Sequence, residues 1–350
     1  MTEQNQPSIN ARPRIRVNGG VRAELDSALL DLMINLPLSG MAHAELRLVN
    51  WQSNSSDSGA DFAFQSLTHG TEINILAGDS DDNPLFSGEI TALEERYGKG
   101  APQLVILAED KLHRLARVRE NRTFEDTGLN DVLQSLVSEL GLSADIQVSD
   151  YSATWHQLNE SNLAFIGRLL APYDIALRID SDTVRVRSEE ADPEPVVLDP
   201  QNNVQQLRIT ADLNHQSTGV QVRGFDLSAD ATSDGSDSSA PAGSGETAAD
   251  LLGRLSWGQE EIVAMPFARA QAEAADWAAG RFAHTAKKFL YGDILCTGIP
   301  QLKAGREVEL EGVSSRLAGV YQVVDCVHQF NNNQGYTTRL KVQRGNWNNG

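Results

Sequence analysis

"GREVELEGVSSRLAGVYQVVDCVHQFNNNQGYTTRLKVQR", residues 305–344, alternates apolar and polar side chains between turn residues, the spacing of half-buried strands. Its opening, Gly305-x-x-Val308-x-Leu310-x-Gly312, repeats a pattern met much earlier, Gly70-x-x-Ile73-x-Ile75-x-x-Gly78. Leu317-x-Gly319-x-Tyr321 then answers Leu85-x-x-Gly88-x-Ile90. Two further strand patterns follow in each place, "VVDCVHQF" and "YTTRLKVQR" here, an apolar/polar strand and "QLVILAED" there. Upstream, "ALLDLMINLPLSGMAHAELRLVN" (28–50) is echoed by "NVQQLRITADLNHQSTGVQVRGFD" (203–226). One order of elements holding in both halves predicts a duplicated β-barrel.

Between the copies the period changes. Leu129, Val132, Leu133, Leu136, Val137 and Leu140 form a helical stripe ended by Gly141. "NESNLAFIGRLLAPYDIALRID" (159–180) reads as a helix, capped by Ser161 or Asn162, that runs into a strand and a hairpin turning at Asp180-Ser181-Asp182. The expected fold class is therefore mainly β with an α+β insertion: two similar β-barrel domains separated by a small α/β domain. The boundaries fall at 1–118 for the first barrel, its N-terminal tail disordered to about residue 12, at 119–195 for the insertion, and at 196–350 for the second barrel. Within the last, the small-residue acidic tract 228–246 is expected to be a flexible loop, because little in it can repay ordering entropy. A long Ala-rich helix is expected over 267–290, its stripe including Phe267, Ala274, Trp277, Phe282 and Phe289.

Composition excludes several functions. The chain of 350 residues has a formal net charge of −19, which disfavours a nucleic-acid or anionic-membrane surface. No apolar run approaches a membrane span and the N-terminus has no apolar leader, so the product is expected to stay in the cytoplasm when made. Cys296 and Cys326 are too few for a zinc site or a disulfide framework, and they read as buried free thiols, with a cross-strand bridge the alternative. No metalloprotease, nucleophile-elbow, P-loop or dinucleotide-binding pattern occurs, and the seven histidines are scattered. His328, alternating with Val327 and Phe330, is expected to make structural hydrogen bonds. Catalytic, cofactor and metal residues are all expected to be absent.

Arg168 stands out. It points away from the Leu163/Ile166/Leu170 stripe, and neither Ala164 nor Pro172, four residues to either side, offers a carboxylate. Its segment resembles the Asn-Glu-Ser-x-Leu-x-Phe-x-x-Arg-Leu-Leu stretch of VgrG-type spike proteins and phage late control gene D proteins. Asn159, Glu160, Ser161, Leu163, Phe165, Arg168, Leu169 and Leu170 fill that pattern, while Asp174 replaces the family's glycine before the next strand. The C-terminal stretch is similar to the same family's ending, with Gly298, Pro300, Gly305, Gly319, Tyr321, His328 and Tyr336 in place.

The resemblance implies a structural baseplate hub of a contractile tail or injection system, assembled in the bacterial cytoplasm and carried in a phage tail or tail-like particle. It implies a homotrimer that adapts a three-fold spike to a six-fold inner tube. The partners would be a separate spike protein, the tail tube or its initiator ring, and other baseplate proteins, with no sequence-specific nucleic acid, membrane insertion or cofactor. Arg168 would then be an inter-subunit or inter-domain contact, in competition with a merely solvated helix face. Two other classes remain open: a carbohydrate- or receptor-binding tail module, which calls for exposed aromatics on one face, and a tail-associated cell-wall hydrolase.

Overall fold

Alternating side chains let a strand bury one face, and strands make up the larger part of this chain's regular structure. The computed structural model describes residues 12–53, 60–77, 84–180, 182–188, 194–227, 229–241 and 243–348, and it is mainly β. The disordered tail expected up to residue 12 lies outside the described residues, apart from Arg12 itself. The first part comprises β1 (Arg14–Val17), β2 (Leu29–Pro37), β3 (His43–Val49), β4 (Glu72–Leu76), β5 (Phe86–Arg96) and β6 (Gln103–Glu109). The middle comprises β7 (Arg119–Gly128), α1 (Leu129–Ser138), β8 (Ser143–Ile146), β9 (Ser152–Ser161), α2 (Asn162–Leu170), β10 (Ala176–Asp180) and β11 (Thr183–Arg187). The last part holds β12 (Val196–Leu198), β13 (Val204–Ala211), β14 (Gly219–Asp226), β15 (Ala231–Asp237) and α3 (Ala248–Leu255). It continues with β16 (Glu260–Val263), α4 (Gln271–Ala286), β17 (Leu290–Thr297), β18 (Glu307–Leu310), β19 (Gly319–Asn331) and β20 (Gly335–Arg344).

One large sheet runs through both ends of the chain in the order β13-β17-β20-β19-β2-β3-β6-β5-β4-β1, and β18 joins β19 to β12. The first part contributes β2-β3-β6-β5-β4-β1 and the last part β13-β17-β20-β19-β18-β12. Position by position the ladders match, except that β1 lies antiparallel on β4 whereas β12 lies parallel on β18. The two parts meet where β2 pairs antiparallel with β19, from Asp31 opposite Asn331 to Pro37 opposite Asp325.

Buried apolar residues gather in four clusters. One fills the first part and also takes in Phe330 and Tyr336 from the last. A second belongs to the middle segment and includes all five buried residues of α1, the stripe read from the sequence. A third lies within the last part, and a fourth sits beneath α4.

Four sequence expectations need correction. The acidic tract is not simply a flexible loop: residues 231–237 form β15, paired along its length with β14. What anchors it is smallness instead of apolarity. Ser233 is buried and donates its hydroxyl to the Ala268 carbonyl at 2.8 Å, and a Cβ on Gly235 would collide with the backbone of Ala274. Helix α4 therefore lies directly on the strand. That helix is also shorter than 267–290: Ala270 precedes its first turn, Phe267 is exposed before it, and Phe289 packs in the third cluster. Finally, β14 is not the counterpart of β3. It leaves for a separate sheet with β15 and β16, and β17 takes the place beside β13. The ladders likewise put Gly88 in correspondence with Tyr321, since Glu72 faces Glu89 as Glu307 faces Gln322.

Candidate functional site

The Asn-Glu-Ser stretch is a compact structural unit. Asn159 adopts a left-handed backbone (φ 52°), where asparagine is tolerated better than most residues, and forms a bulge in β9 that leaves Glu160 opposite Glu120 and Leu158 opposite Asn121, just before the strand gives way to α2. The Ser161 hydroxyl caps the helix by accepting from the Ala164 N–H at 3.2 Å. The sequence suggested no carboxylate for Arg168 within one helical turn, but one lies eight residues back on the preceding strand. The guanidinium donates through Nε and Nη2 to the two Glu160 oxygens, at 2.8 Å each, and through Nη2 to the His156 carbonyl at 2.7 Å. It also stacks 5.1 Å from the centre of the Phe165 ring. This bidentate pairing holds the Glu160 carboxyl below its ordinary pKa. Arg168 thus ties α2 to β9, and about half of its side chain remains exposed.

A second unit joins the middle segment to α4. Gly280 faces the loop 172–174 so closely that a Cβ there would lie 2.8 Å from the Asp174 nitrogen and 2.9 Å from the Pro172 oxygen. Asp174 accepts from Lys287, and His284 Nδ1 lies 3.6 Å away. Burial pushes the Asp174 carboxyl up, but hydrogen bonding by His284 and the Lys287 charge outweigh it, so the group stays below the usual carboxylate range. At the other end of the helix, Glu273 is fully buried. It accepts from the Tyr151 hydroxyl at 2.7 Å, the Arg269 N–H at 2.7 Å and Arg269 Nη2 at 2.9 Å. Arg269 in turn lies 4.5 Å from the Trp155 ring centre. A carboxyl so buried is tolerable only when both oxygens are satisfied, and here both accept hydrogen bonds.

The third unit lies at the joint between β2 and β19. His328 is buried, with Nε2 donating to the Leu302 carbonyl at 2.9 Å and Nδ1 accepting from the Tyr336 hydroxyl at 2.8 Å. Burial lowers its pKa to about 4, so the ring is neutral at pH 7. Cys326 Sγ sits 3.4 Å from Nε2, but burial pushes that thiol well above its ordinary pKa and the neighbouring Cys296 up to about 12. Both thiols are free and buried. Thiols held protonated and away from water are packing groups, not nucleophiles. Among the described residues, no group of three or more His, Cys, Asp or Glu side chains is arranged to hold a metal ion.

Of these residues the sequence singled out Arg168, Asp174 and His328, and it missed Glu160 as a partner, Glu273, Gly280 and His284. Glu160 could have been found: the residue before an N-cap lies on the strand that the helix folds back across.

Comparison with known proteins bears on the whole chain. Residues 13–332 match the family model of the Alg8 N-terminal domain. Among curated proteins none matches in sequence. Solved structures do match in fold. The prophage MuSo2 43 kDa tail protein from Shewanella oneidensis is 12% identical, with a TM-score of 0.70, over 96% of this chain and 98% of that one. A tail protein from Neisseria meningitidis MC58 is 12% identical, TM-score 0.66, over 97% and 98%. The E. coli c3393 protein, a type VI secretion system component described as similar to the T4 tail proteins gp27 and gp5, is 11% identical, TM-score 0.61, over 94% and 76%. The shared property is the mainly β tail-protein fold.

Proposed function

The chain belongs to the Alg8 N-terminal domain family, and on the strength of its tail-protein fold we propose that it is a structural hub in the baseplate of a contractile tail or injection system. Three copies would form a ring, docking a separate spike protein on one side and the six-fold tube or its initiator ring on the other. The observation that carries this reading is the matched ladder order of the two ends of the chain, joined edge to edge at β2 and β19. If both ends are copies of one β-barrel, three chains present six equivalent faces, which is what a three-fold object needs to sit on a hexameric ring.

In this reading the protein is an adaptor and conduit with no reaction of its own, and its place is the particle. Its ionisable groups hold segments together: buried Glu273 and partly buried Asp174 clamp α4. Arg168 can serve assembly through its exposed half while Glu160 fixes its direction. Light scattering and native mass spectrometry test the reading. Three chains of 38.1 kDa are expected, alone or on mixing with spike protein. A monomer or dimer at every concentration, with spike present, would overturn it, and release of sugars from purified peptidoglycan would overturn the absence of a reaction.

A further inference from the structure

Large apolar side chains are not spread evenly over the surface. Of the fifteen exposed ones among the described residues, seven lie between Phe225 and Phe267. This stretch contains the small sheet of β14, β15 and β16, whose own core needs none of them. Val220, Val222 and Val263 pack on the side of α4, with Trp277 and Phe282. Side chains alternate along a strand, so Arg223 and Phe225 of β14 and Ile262 of β16 are turned away from that helix.

β14 and β16 run parallel, so both finish at the same end of the sheet. There the Phe225 N–H donates to the Ala268 carbonyl at 2.9 Å, which brings the segment after β16 back beside the end of β14. Leu227, 80% exposed, and Met265, 79% exposed, project from this end together with Phe225 and Phe267, and Ile262 extends the apolar surface along β16. Such a cluster, rimmed by polar groups, marks a contact with another molecule. The rim has one sign. Residues 225–267 hold eight carboxylates, one arginine and no lysine. Asp226 and Asp230 flank the turn that carries Leu227, Asp234 is exposed on β15, and Glu260 stands on the same side of β16 as Ile262 and accepts from Gln221.

We propose that this end of the small sheet binds a basic amphipathic helix of a partner protein. Apolar residues at i, i+3, i+4 and i+7 of that helix seat on Ile262, Phe225, Met265, Phe267 and Leu227, and its flanking Lys and Arg side chains reach Asp230, Asp234 and Glu260. Methionine and phenylalanine suit such a seat, since methionine adapts its shape to what it meets. A helix fits better than an added strand, because β16 pairs over only four residues and the apolar groups gather at its end instead of lining its edge. The acidic rim works against a second copy of this chain, which would bring like charges together, and against the anionic headgroups of a lipid surface. Every chain carries this surface by itself, whatever its oligomeric state.

The probe is a synthetic peptide of about 18 residues, roughly five helical turns, made of Leu and Lys with the leucines on one face. Titrated onto the purified full chain in a calorimeter, it is expected to bind with about micromolar affinity, at least tenfold more tightly than a scrambled peptide of the same composition or one with Glu in place of Lys. Leu227→Ser/Met265→Ser changes two side chains that stand in water, so the melting temperature should stay within about 2 °C while the Leu/Lys peptide binds at least tenfold more weakly. Asp230→Lys/Glu260→Lys should weaken it similarly and admit the Leu/Glu peptide. A Leu/Lys peptide that does not bind overturns the proposal. So does one whose binding neither double variant changes, since it is then drawn by the net charge of −19 alone. Self-association of the wild type, or its flotation with phosphatidylcholine vesicles, that Leu227→Ser/Met265→Ser abolishes would assign the patch to a second copy or to lipid and overturn it equally.

Discussion

Gly280 offers a measurable check on how the middle segment is held. Replacing it by alanine inserts a methyl group 2.8–2.9 Å from three backbone atoms of residues 172–174, which are not the ends of flexible side chains and cannot swing aside. Helix and loop must separate by several tenths of an ångström, and such overpacking costs about 1–3 kcal/mol. Against that, alanine is a better helix former than glycine by about 1 kcal/mol. The net expectation is a loss of about 1 kcal/mol. Gly167, in the middle of α2, has open space where a Cβ would go, so Gly167→Ala should show the propensity gain alone, about 1 kcal/mol of added stability. For a cooperative unit of roughly 150 residues, each kcal/mol moves the melting temperature by about 3 °C. Calorimetry and urea unfolding of both variants should thus place them about 6 °C apart, on opposite sides of wild type. Two variants that stabilise alike would refute the reasoning, since loop 172–174 could not then be seated on α4.

Excising residues 231–237 with a short Gly-Ser bridge should expose Val220, Val222 and one face of α4 and lower the melting temperature by many degrees, as read by circular dichroism. Glu160→Ala with Arg168→Ala in a double-mutant cycle should give a coupling of about 1 kcal/mol, appropriate to a half-exposed bidentate pair, and the Glu160→Arg/Arg168→Glu swap should recover most of it; a swap that folds but no longer trimerises would make Arg168 an assembly contact as well. His328 is neutral when folded, with a pKa lowered to about 4, but takes up a proton near pH 6.5 when unfolded, so its contribution is complete above pH 6.5 and fades as pH falls toward 4. His328→Gln should be less stable at pH 7.5, yet should show a shallower decline between pH 6.5 and 4 in urea titrations.

Much of the fold was legible because it depends on period. The α1 stripe, the Ser161 cap and the strands that follow Gly70 and Gly305 are local signals, and each appears where its spacing placed it, while Gly78, which ends the first of those repeats, lies outside the described residues. The failures share a cause: packing by small residues carries no hydrophobic signature. Ser233 and Gly235 bury a strand by letting a helix come close, and nothing in an acidic, small-residue tract announces that. The echo of β3 in β14 was misread for a related reason. Alternation reports that a stretch is a strand, but it does not report which neighbour takes its hydrogen bonds. At the candidate site, Arg168 was conspicuous and its partner was not, because Glu160 lies eight residues back and meets it only when α2 folds back along β9 after Ser161.

The joint between β2 and β19 also has a bearing on time. Its strands are nearly three hundred residues apart in sequence, so closing it costs about 5 kcal/mol of chain entropy, and it cannot be complete until residue 331 has left the ribosome. At typical synthesis rates of about 5–20 residues per second, β2 waits roughly 15–60 s beside a vacant flank. During that interval β2, like β13 later, is an open edge that any other strand could take, including one from a nascent neighbour. A cell making this protein quickly therefore has reason to slow translation before β19 or to shield β2 with a chaperone, and yield of soluble protein should depend more on elongation rate than on temperature.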